Sequence, residues 1–289
     1  MTGKVTVIVA TRDRRDELTH TLCRLSELTP PPPIVVVDNG STDGTAHAVR
    51  TQFPEVTLLA LRHNHGAPGR NLGVQASRTP YIAFSDDDSW WAHGALQRAA
   101  QILDAHPRLG LLAAHTLVGP QQRPDPVAQM MAESPLPRPP DAAGPAVLGF
   151  LACSAVLRRE AFLSVGGFSK VIFFPGEEQL LCYDLAAAGW DRAYVADVVA
   201  HHHPSTHRGN PIRRRALERR NALLTSVMRR PPRVAAASGA ALARAAVRDA
   251  SARRALRGAL VRLPAALRRR APLPAAVEEQ IRMLEDGPQ

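Results

Sequence analysis

Three consecutive carboxylates, at Asp86, Asp87 and Asp88, directly follow a short apolar run at residues 81–84. The run predicts a buried β-strand, and the carboxyl end of such a strand is where open α/β sheets bind ligands. Three adjacent negative charges repel one another, so a cation or strong hydrogen-bond donors must stabilise them. Carboxylate oxygens there suit Mg²⁺ or Mn²⁺ held together with a phosphate-bearing substrate. A solvated acidic turn is the alternative interpretation.

Other polar residues follow the first two predicted strands or precede the fourth, and they gather at the same edge of the sheet. These residues are Thr11, Arg12, Arg14, Asp38, Ser41, Asp43, Arg70 and Asn71. Asp38, at a strand end, can accept the imide N–H of uracil or thymine. The three arginines can neutralise a diphosphate. Together these residues predict a nucleotide-diphosphate site, although any one segment alone is more typical of turns and helix caps.

The scaffold that must position these residues alternates strands with helices over the first 120 residues. β-Branched and apolar runs predict strands at residues 5–10, 34–37, 56–61 and 81–84. Helical spacing predicts helices after Asp13 and at residues 45–51, 71–77 and 91–105. This order predicts an α/β fold with a mostly parallel central sheet, right-handed crossovers and helices on both faces.

The second part of the chain is less regular. Residues 119–145 are rich in Pro and Ala and predict a long loop. The elements predicted after it are an ordered segment at 147–157, helices at 159–165 and 177–188, and a strand at 190–199. Beyond Pro211 the pattern is helical, with a helix expected over residues 234–257 and interruptions at the prolines 231, 232, 264 and 272.

The charge of the chain is unevenly distributed. From residue 201 to the end, 19 Arg and no Lys stand against 6 acidic residues, a net charge of +13, whereas the first 200 residues carry −3. This asymmetry indicates an anionic partner for the tail, either a membrane or nucleic acid, with Arg- and Ala-rich coding bias as the alternative. Aromatic residues make up 4% of the chain and do not interleave with basic ones, so no nucleic-acid partner is expected.

The chain shows no sign of export or of membrane spanning. Its first residues lack the pattern of a signal peptide, and no apolar stretch approaches the roughly eighteen residues of a spanning helix. The three cysteines, Cys23, Cys153 and Cys182, are widely spaced and odd in number, which favours reduced thiols. We therefore expect a cytoplasmic protein.

The ordered set of motifs resembles the family 2 glycosyltransferases, which have an A-type, Rossmann-like fold. The similar segments, between residue 4 and about residue 208, are residues 7–14, 34–45, 69–73, 84–88, 149–168 and 176–182. The chain departs from the family pattern at Ala10 and Arg12, which replace Pro and Tyr. Glu178 stands where Asp is commoner, and Leu180 replaces a second acidic residue.

The resemblance implies roles for five acidic residues. Asp86 and Asp88 would flank a divalent ion, Mn²⁺ or Mg²⁺, that bridges the donor diphosphate. Asp87 would face the donor sugar or the ribose. Glu178, or else Glu177, would remove the proton of the acceptor hydroxyl during a single displacement, which inverts the anomeric centre. Without the resemblance, this acidic pair is adequately explained by the helix macrodipole.

A histidine triplet, at residues 201–203, follows the last predicted strand of the similar region. The resemblance implies that a histidine here completes the metal site. His201 aligns best, and His203 points the same way along an extended chain. A solvated loop and an adventitious metal site are the alternatives for the triplet.

The resemblance implies a catalytic domain at residues 1–208 and a helical extension at residues 209–289. The parts of the domain would be a donor half at 1–118, a Pro-rich loop at 119–145 and an acceptor half at 146–208. The expected reaction transfers a sugar from a UDP- or dTDP-sugar donor to a glycan or lipid-linked acceptor. The basic tail would lie on the inner face of an anionic membrane or cap the catalytic domain.

Two other functions stay open at this stage. A sugar-nucleotide nucleotidyltransferase shares the sheet and the acidic ligands, but it needs a glycine-rich loop after the first strand, and residues 11–14 contain no glycine. A nucleic-acid-binding protein would act through its Arg-rich tail, and a steep salt dependence of binding would reveal it.

Overall fold

The computed structural model describes residues 3–205 and 210–286 of the 289-residue chain. Its first part alternates strands and helices as the hydrophobic pattern predicts. The elements are β1 (Val5–Thr11), α1 (Arg15–Ser26), β2 (Ile34–Asp38), α2 (Thr45–Gln52), β3 (Thr57–Ala60), α3 (Gly69–Ala76) and β4 (Tyr81–Asp86). Strands β1, β2 and β4 are buried almost throughout, which explains their continuous apolar runs.

The middle of the chain differs from the prediction in two places. Its elements are β5 (Ser89–Trp91), α4 (Ala95–Ala105), β6 (Leu109–Val118), β7 (Arg123–Pro124), α5 (Pro126–Ala132), β8 (Ala155–Arg158), α6 (Arg159–Ser164), α7 (Glu177–Ala187) and β9 (Asp191–His202). Trp91 ends a short strand rather than beginning a helix. The expected loop at 119–145 contains β7 and α5, because Asp125 caps α5 by accepting the Val127 N–H at 2.8 Å.

The strands form one mixed sheet with the order β3-β2-β1-β4-β8-β6-β9-β5, and β7 pairs with β6. Strands β1 to β4 are parallel, as predicted, whereas β8 runs antiparallel to both β4 and β6. In the parallel part, Thr11 pairs with Asp38 and Ala10 pairs with Asp86. This register brings the polar ends of β1, β2 and β4 to one edge.

Apolar side chains bury both faces of the sheet. Helix α1 packs Leu18, Leu22 and Leu25 against one face, together with α4. On the other face, Phe84 contacts Phe162 and Phe168 with ring centroids 5.6 and 5.4 Å apart, and α3 and α7 complete that layer. The two layers fix the strand ends, so the polar residues at the edge rest on a rigid support.

In residues 210–286, four helices follow the α/β fold: α8 (Pro211–Arg229), α9 (Pro232–Ala246), α10 (Ala250–Arg268) and α11 (Ala275–Asp286). The single helix expected over residues 234–257 is wrong, because α9 ends at Ala246 and a new helix, α10, begins at Ala250. Asp249 caps α10 by accepting the Ser251 N–H at 2.7 Å. Pro264 does not end α10. It lies on the exposed side of the helix, where water can satisfy the carbonyl that proline leaves unpaired.

The helical extension packs directly on the α/β fold. Asn221 of α8 donates to the Pro175 carbonyl at 2.6 Å, and Arg220 donates to the Ile172 carbonyl at 3.1 Å. Arg229 forms a two-pronged ion pair with Asp184 of α7. Helix α8 therefore holds both the segment before α7 and α7 itself.

Two further findings concern the class of protein. All three cysteines are free thiols. Within residues 3–205 and 210–286, no helix has the length and apolar character that crossing a bilayer requires.

Candidate active site

Hydrogen bonds join the loops after β1 and β2. Asp13 adopts a left-handed conformation with φ of 52°, its N–H donates to Ser41 Oγ at 2.9 Å, and its carboxylate accepts the Thr42 N–H at 2.7 Å. Asp43 accepts the Arg15 N–H at 2.9 Å. Ser41 and Asp43, expected to bind the donor, are thus engaged in holding the two loops together.

Asp38 lies at the end of β2 and is only 2% exposed. One of its carboxylate oxygens accepts the Ser41 N–H at 2.9 Å. The neighbouring Asn39 was not singled out by the sequence, yet it is buried and accepts the His65 N–H at 3.1 Å. A side chain at Gly69 would place a Cβ 2.7 Å from Asn39 Oδ1, so glycine is required for this close approach. The Asp-Asn-Gly sequence at a strand end was the available signal.

Each of the three aspartates of the triplet has its own set of partners, although Asp87 and Asp88 share Arg14. Asp86, which is partly exposed, forms an ion pair with the buried Arg70. Asp87 turns inward, accepts the Thr11 hydroxyl at 3.0 Å and pairs with Arg14 at 3.0 Å. Burial raises the pKa of Asp87 to about 7 although the Arg14 charge opposes the rise. Both carboxylate oxygens of Asp87 are therefore engaged by residues of the β1 end and its loop.

Asp88 has the contacts of an ionised carboxylate. It pairs with Arg14 at 3.1 Å, accepts the Ser205 N–H at 3.2 Å, and lies 3.4 Å from His202 Nε2. Burial opposes its ionisation, but the His202 hydrogen bond and the other donors hold the pKa of Asp88 below its usual value. Burial also opposes protonation of His202, but Asp88 raises the pKa of this imidazole.

The three histidines of the triplet lie on two opposite faces of the chain. Strand β9 continues to His202, three residues beyond the predicted end, because it pairs with β5. Side chains alternate along this strand, so His201 and His203 share the face opposite His202. Both pack on Trp90, with ring centroids 5.8 and 4.6 Å away. His202, which the sequence did not favour over its neighbours, is the imidazole 3.4 Å from Asp88.

Arg70 and Asn71 lie deeper than expected. Arg70 is 7% exposed, and its guanidinium carbon lies 6.0 Å from the Phe168 ring centroid. Asn71 exchanges two hydrogen bonds with the Phe168 backbone, at 2.9 and 3.0 Å. These residues join α3 to the segment before α7. Arg12, another of the three arginines expected at a diphosphate, lies at the surface instead: it is half-exposed and pairs with Asp13 at 3.3 Å.

Helix α7 begins with the two glutamates. Gly176, with φ of 89°, precedes them and sets the turn. Burial and the adjacent Glu178 charge raise the pKa of Glu177 well above its usual range. Burial raises the pKa of Glu178 too, and the Arg70 charge opposes that rise. Glu177 is 1% exposed, whereas Glu178 keeps partial access to solvent, so Glu178 is the better placed of the two to receive a proton from a substrate.

A cleft of about 830 Å³ opens beside Asp88. It lies between the β1 loop and α1 on one side and Trp90 on the other. It is lined by three arginines and by five acidic residues: Arg12, Arg14 and Arg15, and Asp13, Asp16, Glu17, Asp43 and Asp88. His203 lines it as well. The arginines can bind phosphate oxygens, whereas the carboxylates favour a phosphate-bearing molecule only when a cation accompanies it. Glu178 does not line it, so a substrate that reaches both groups must extend past Asp88 toward α7.

Residues 6–166 match the sequence model described as Glycosyl transferase family 2, which covers more than half of the chain. The chain belongs to this family. It is 28% identical over 244 residues to the N-acetylglucosaminyl-diphospho-decaprenol L-rhamnosyltransferase of Mycobacterium tuberculosis, a match that covers 70% of this chain and 77% of the relative. The resemblance of its motifs to family 2 glycosyltransferases is confirmed, and the protein is a glycosyltransferase.

Solved glycosyltransferase structures share the fold. The mannosyltransferase PcManGT of Pyrobaculum calidifontis, in complex with GDP-Man and Mn²⁺, has a TM-score of 0.61 and 21% identity, covering 100% of this chain and 89% of that one. TarS 1–349 of S. aureus, in complex with UDP-GlcNAc, has a TM-score of 0.55 and 19% identity, covering 91% and 72%. The expected fold, one Rossmann-like glycosyltransferase domain with a helical C-terminal region, is therefore confirmed.

The side chains of this glycosyltransferase offer a partial set of metal ligands. In the described part of the chain, no three His, Cys, Asp or Glu side chains come close enough to hold an ion by themselves. Asp88 and His202 do form a pair, 3.4 Å apart. Two atoms that bind one ion at about 2.1 Å from adjacent positions are themselves about 3 Å apart. The pair therefore fits an ion whose other ligands are substrate phosphate oxygens and water.

Proposed function

We propose that this family 2 glycosyltransferase transfers a sugar from a UDP- or dTDP-sugar to a lipid-linked glycan acceptor, with inversion at the anomeric carbon. The observation that carries the proposal is the position of Asp88. It lies at the carboxyl end of a central strand, faces His202 and Arg14, and lines a cleft in which arginines and carboxylates stand side by side. Because the Asp88 side chain is largely buried, this arrangement favours a diphosphate site over the alternative interpretation of a solvated turn.

Asp88 and His202 are the residues that would hold a divalent ion, Mn²⁺ or Mg²⁺. The ion would neutralise the charge that develops on the leaving nucleoside diphosphate. Arg14 binds Asp88 and Asp87 together, so it orients the carboxylate and adds positive charge beside the leaving group. Asp86 is engaged by Arg70, and this favours His202 over Asp86 as the partner of Asp88.

Selection of the donor base is assigned to the end of β2. Asp38 uses one carboxylate oxygen for the Ser41 N–H. The second oxygen can accept the imide N–H of uracil or thymine, whereas guanine presents a different edge. Because Arg12 stands where the family usually has Tyr, we propose that its half-exposed guanidinium stacks on the base.

Glu178 is assigned the role of general base. Burial raises the pKa of its carboxyl, which brings proton affinity closer to that needed at neutral pH. It would take the proton of the acceptor hydroxyl as the oxygen attacks the anomeric carbon. One displacement with no covalent intermediate inverts that carbon. Glu177 is buried beside Arg70 and serves to fix the start of α7.

The acceptor class rests on the mycobacterial relative, whose name specifies a sugar diphosphate carried by decaprenol. We propose a polyprenyl-diphosphate-linked sugar as the acceptor here, presented at the inner face of the membrane. In this arrangement residues 1–208 form the catalytic domain and residues 209–289 form the extension. The family assignment weighs against the nucleotidyltransferase alternative.

The test is a transfer assay with UDP-, dTDP- and GDP-sugars, polyprenyl-diphospho-N-acetylglucosamine and Mn²⁺, read by mass spectrometry and by the anomeric coupling constant of the product. We expect transfer from a UDP- or dTDP-sugar, with inversion. Glu178→Gln should lower kcat by roughly 10²- to 10⁴-fold. Glu160→Gln is the matched control, because Glu160 is an exposed acid in the first turn of α6. Retention of configuration, or full activity in Glu178→Gln, would contradict the mechanism.

A further inference from the structure

Helix α10 exposes large apolar side chains on its outer face. Leu260, Val261 and Leu267 are 59%, 78% and 53% exposed, and they recur at the spacing that places residues on one side of a helix. Pro264 lies exposed among them. A contiguous apolar patch on a soluble domain marks an interaction site more often than scattered single residues do.

Arginines border this patch at both ends. Arg253, Arg254 and Arg257 precede it on the same face of the helix, and Arg268 follows it. Residues 232–270 contain ten Arg and one acidic residue, Asp249, which is paired with Arg219. For Arg254, Arg257 and Arg268, no carboxylate of the described ranges lies within ion-pairing distance. The outer face therefore combines apolar side chains with uncompensated positive charge.

The inner face of α10 fixes this orientation. Ala252, Ala255, Ala259 and Ala266 are buried against α8 and α9. Small alanines allow the helices to approach closely, and the polar cap at Asp249 sets where α10 begins. The helix cannot rotate to bury its leucines without exposing this seam. The apolar and basic residues are thus held outward.

We propose that the outer face of α10, from Arg253 to Arg268, is a docking surface for an anionic lipid bilayer. Apolar side chains enter the boundary between headgroups and acyl chains, and the arginines bind the phosphates of the headgroups. Nucleic acid fits less well, because exposed leucine and valine contribute nothing to backbone binding and this face carries no aromatic ring. A second copy of the chain fits less well too, since two such faces repel each other.

The docking face is connected to the catalytic site. Gly258 of α10 packs on Arg220, which donates to the Ile172 carbonyl just before the start of α7. Helix α8 follows Ser205, the donor to Asp88, by six residues, so its start lies within about 22 Å of the Asp88 contact. Docking through α10 would thus hold the α/β fold, to which α8 is fixed, at the membrane surface. This deepens the acceptor location proposed above and rests on it only for its biological purpose.

Flotation with vesicles tests the surface without requiring catalysis. The full-length protein is mixed with vesicles of phosphatidylcholine alone or of phosphatidylcholine with phosphatidylglycerol. We expect binding to the anionic vesicles that weakens with salt. The triple variant Arg254→Gln, Arg257→Gln, Arg268→Gln should lose roughly a hundredfold in partitioning. The control removes the same charge elsewhere, through Arg50→Gln, Arg78→Gln and Arg138→Gln on exposed positions of the catalytic fold.

A second variant separates the bilayer from other anions. Leu260→Ser with Val261→Ser and Leu267→Ser keeps all charges, and it should weaken vesicle binding at least about tenfold while leaving the fold intact, because these positions are exposed. Equal flotation of this variant and the parent, or tighter binding to duplex DNA or RNA than to vesicles, would overturn the proposal.

Activity on a detergent-solubilised acceptor distinguishes this inference from the proposed function. The α10 variants should keep kcat there and lose activity only on acceptor embedded in anionic vesicles. An enzyme that floats but transfers no sugar contradicts the proposed function alone. An enzyme that transfers sugar but does not float contradicts the docking surface alone.

Discussion

Replacing Arg70 with methionine removes the cation shared by the two halves of the site. Arg70 is 7% exposed, forms an ion pair with Asp86, and its charge acts on Glu177 and Glu178. Methionine keeps most of the stem length and apolar contact with Phe168. The variant therefore isolates the charge, leaving buried carboxylates without a compensating partner.

The expected cost is about 3 kcal/mol of unfolding free energy at pH 8. Removing one partner of a buried ion pair typically costs about 3–5 kcal/mol. The lower end applies because 36% of the Asp86 side chain is exposed. Glu177 is 1% exposed and one of its oxygens, Oε2, has no hydrogen-bond partner among residues 3–205 and 210–286, so its charge would be poorly compensated in the variant.

The loss should depend on pH. Burial already raises the pKa of Glu177 and of Glu178, and removing Arg70 raises both further. An acid whose pKa is higher in the folded than in the unfolded state binds protons on folding, so its contribution to stability falls as pH rises. The deficit of Arg70→Met relative to the parent should therefore be larger at pH 8 than at pH 5.5.

Urea denaturation at both pH values, followed by tryptophan fluorescence, measures this difference. Arg108→Met is the control, because Arg108 and Asp191 form a pair whose side chains are 75% and 47% exposed. We expect the control to change stability by less than about 0.5 kcal/mol. A deficit for Arg70→Met below about 1 kcal/mol at pH 8, or an equal deficit at both pH values, would refute the shared-cation account.

Two more predictions concern packing around the site. Arg229→Met should destabilise the protein by about 2–3 kcal/mol in urea denaturation, because Arg229 and Asp184 are 15% and 14% exposed and joined by two hydrogen bonds. The control Arg214→Met breaks the exposed helical pair with Glu218 and should cost less than about 0.5 kcal/mol. Equal losses in the two variants would contradict the prediction. Gly69→Ala should lower the unfolding free energy by about 1–3 kcal/mol, and with it the Tm, because the added Cβ would meet Asn39 Oδ1 at 2.7 Å. A rise in Tm, which alanine usually causes in a helix, would show that Asn39 moves freely.

The strand ends of the donor side were predictable from sequence because local signals coincide there. The β-branched runs at residues 5–10 and 34–37 end in polar residues, and the structure shows strands β1 and β2 ending within one residue of those limits. Parallel pairing of such strands puts their ends at one edge. Local pattern therefore located the acidic triplet and its neighbours.

Features that depend on distant partners were not predictable. Strand β9 reaches His202 because β5 pairs with it, and without that pairing the choice among three histidines had no basis. The sequence predicts that Arg70 binds a diphosphate and does not predict its burial, because the burial depends on α7 and Phe168, which are distant in the chain. Strand β8 is antiparallel because of the long segment that precedes it, which no local period specifies.

Metal-dependent binding of the donor diphosphate tests the central claim most directly. Isothermal titration of UDP and dTDP, with and without Mn²⁺, would be compared for the parent, Asp88→Ala, His202→Ala, His201→Ala and Glu178→Gln. We predict that Mn²⁺ strengthens binding in the parent, in His201→Ala and in Glu178→Gln. In Asp88→Ala and His202→Ala, we predict that the factor by which Mn²⁺ raises the affinity is at least about tenfold smaller than in the parent. Equal Mn²⁺-dependent binding by Asp88→Ala and the parent would contradict the account.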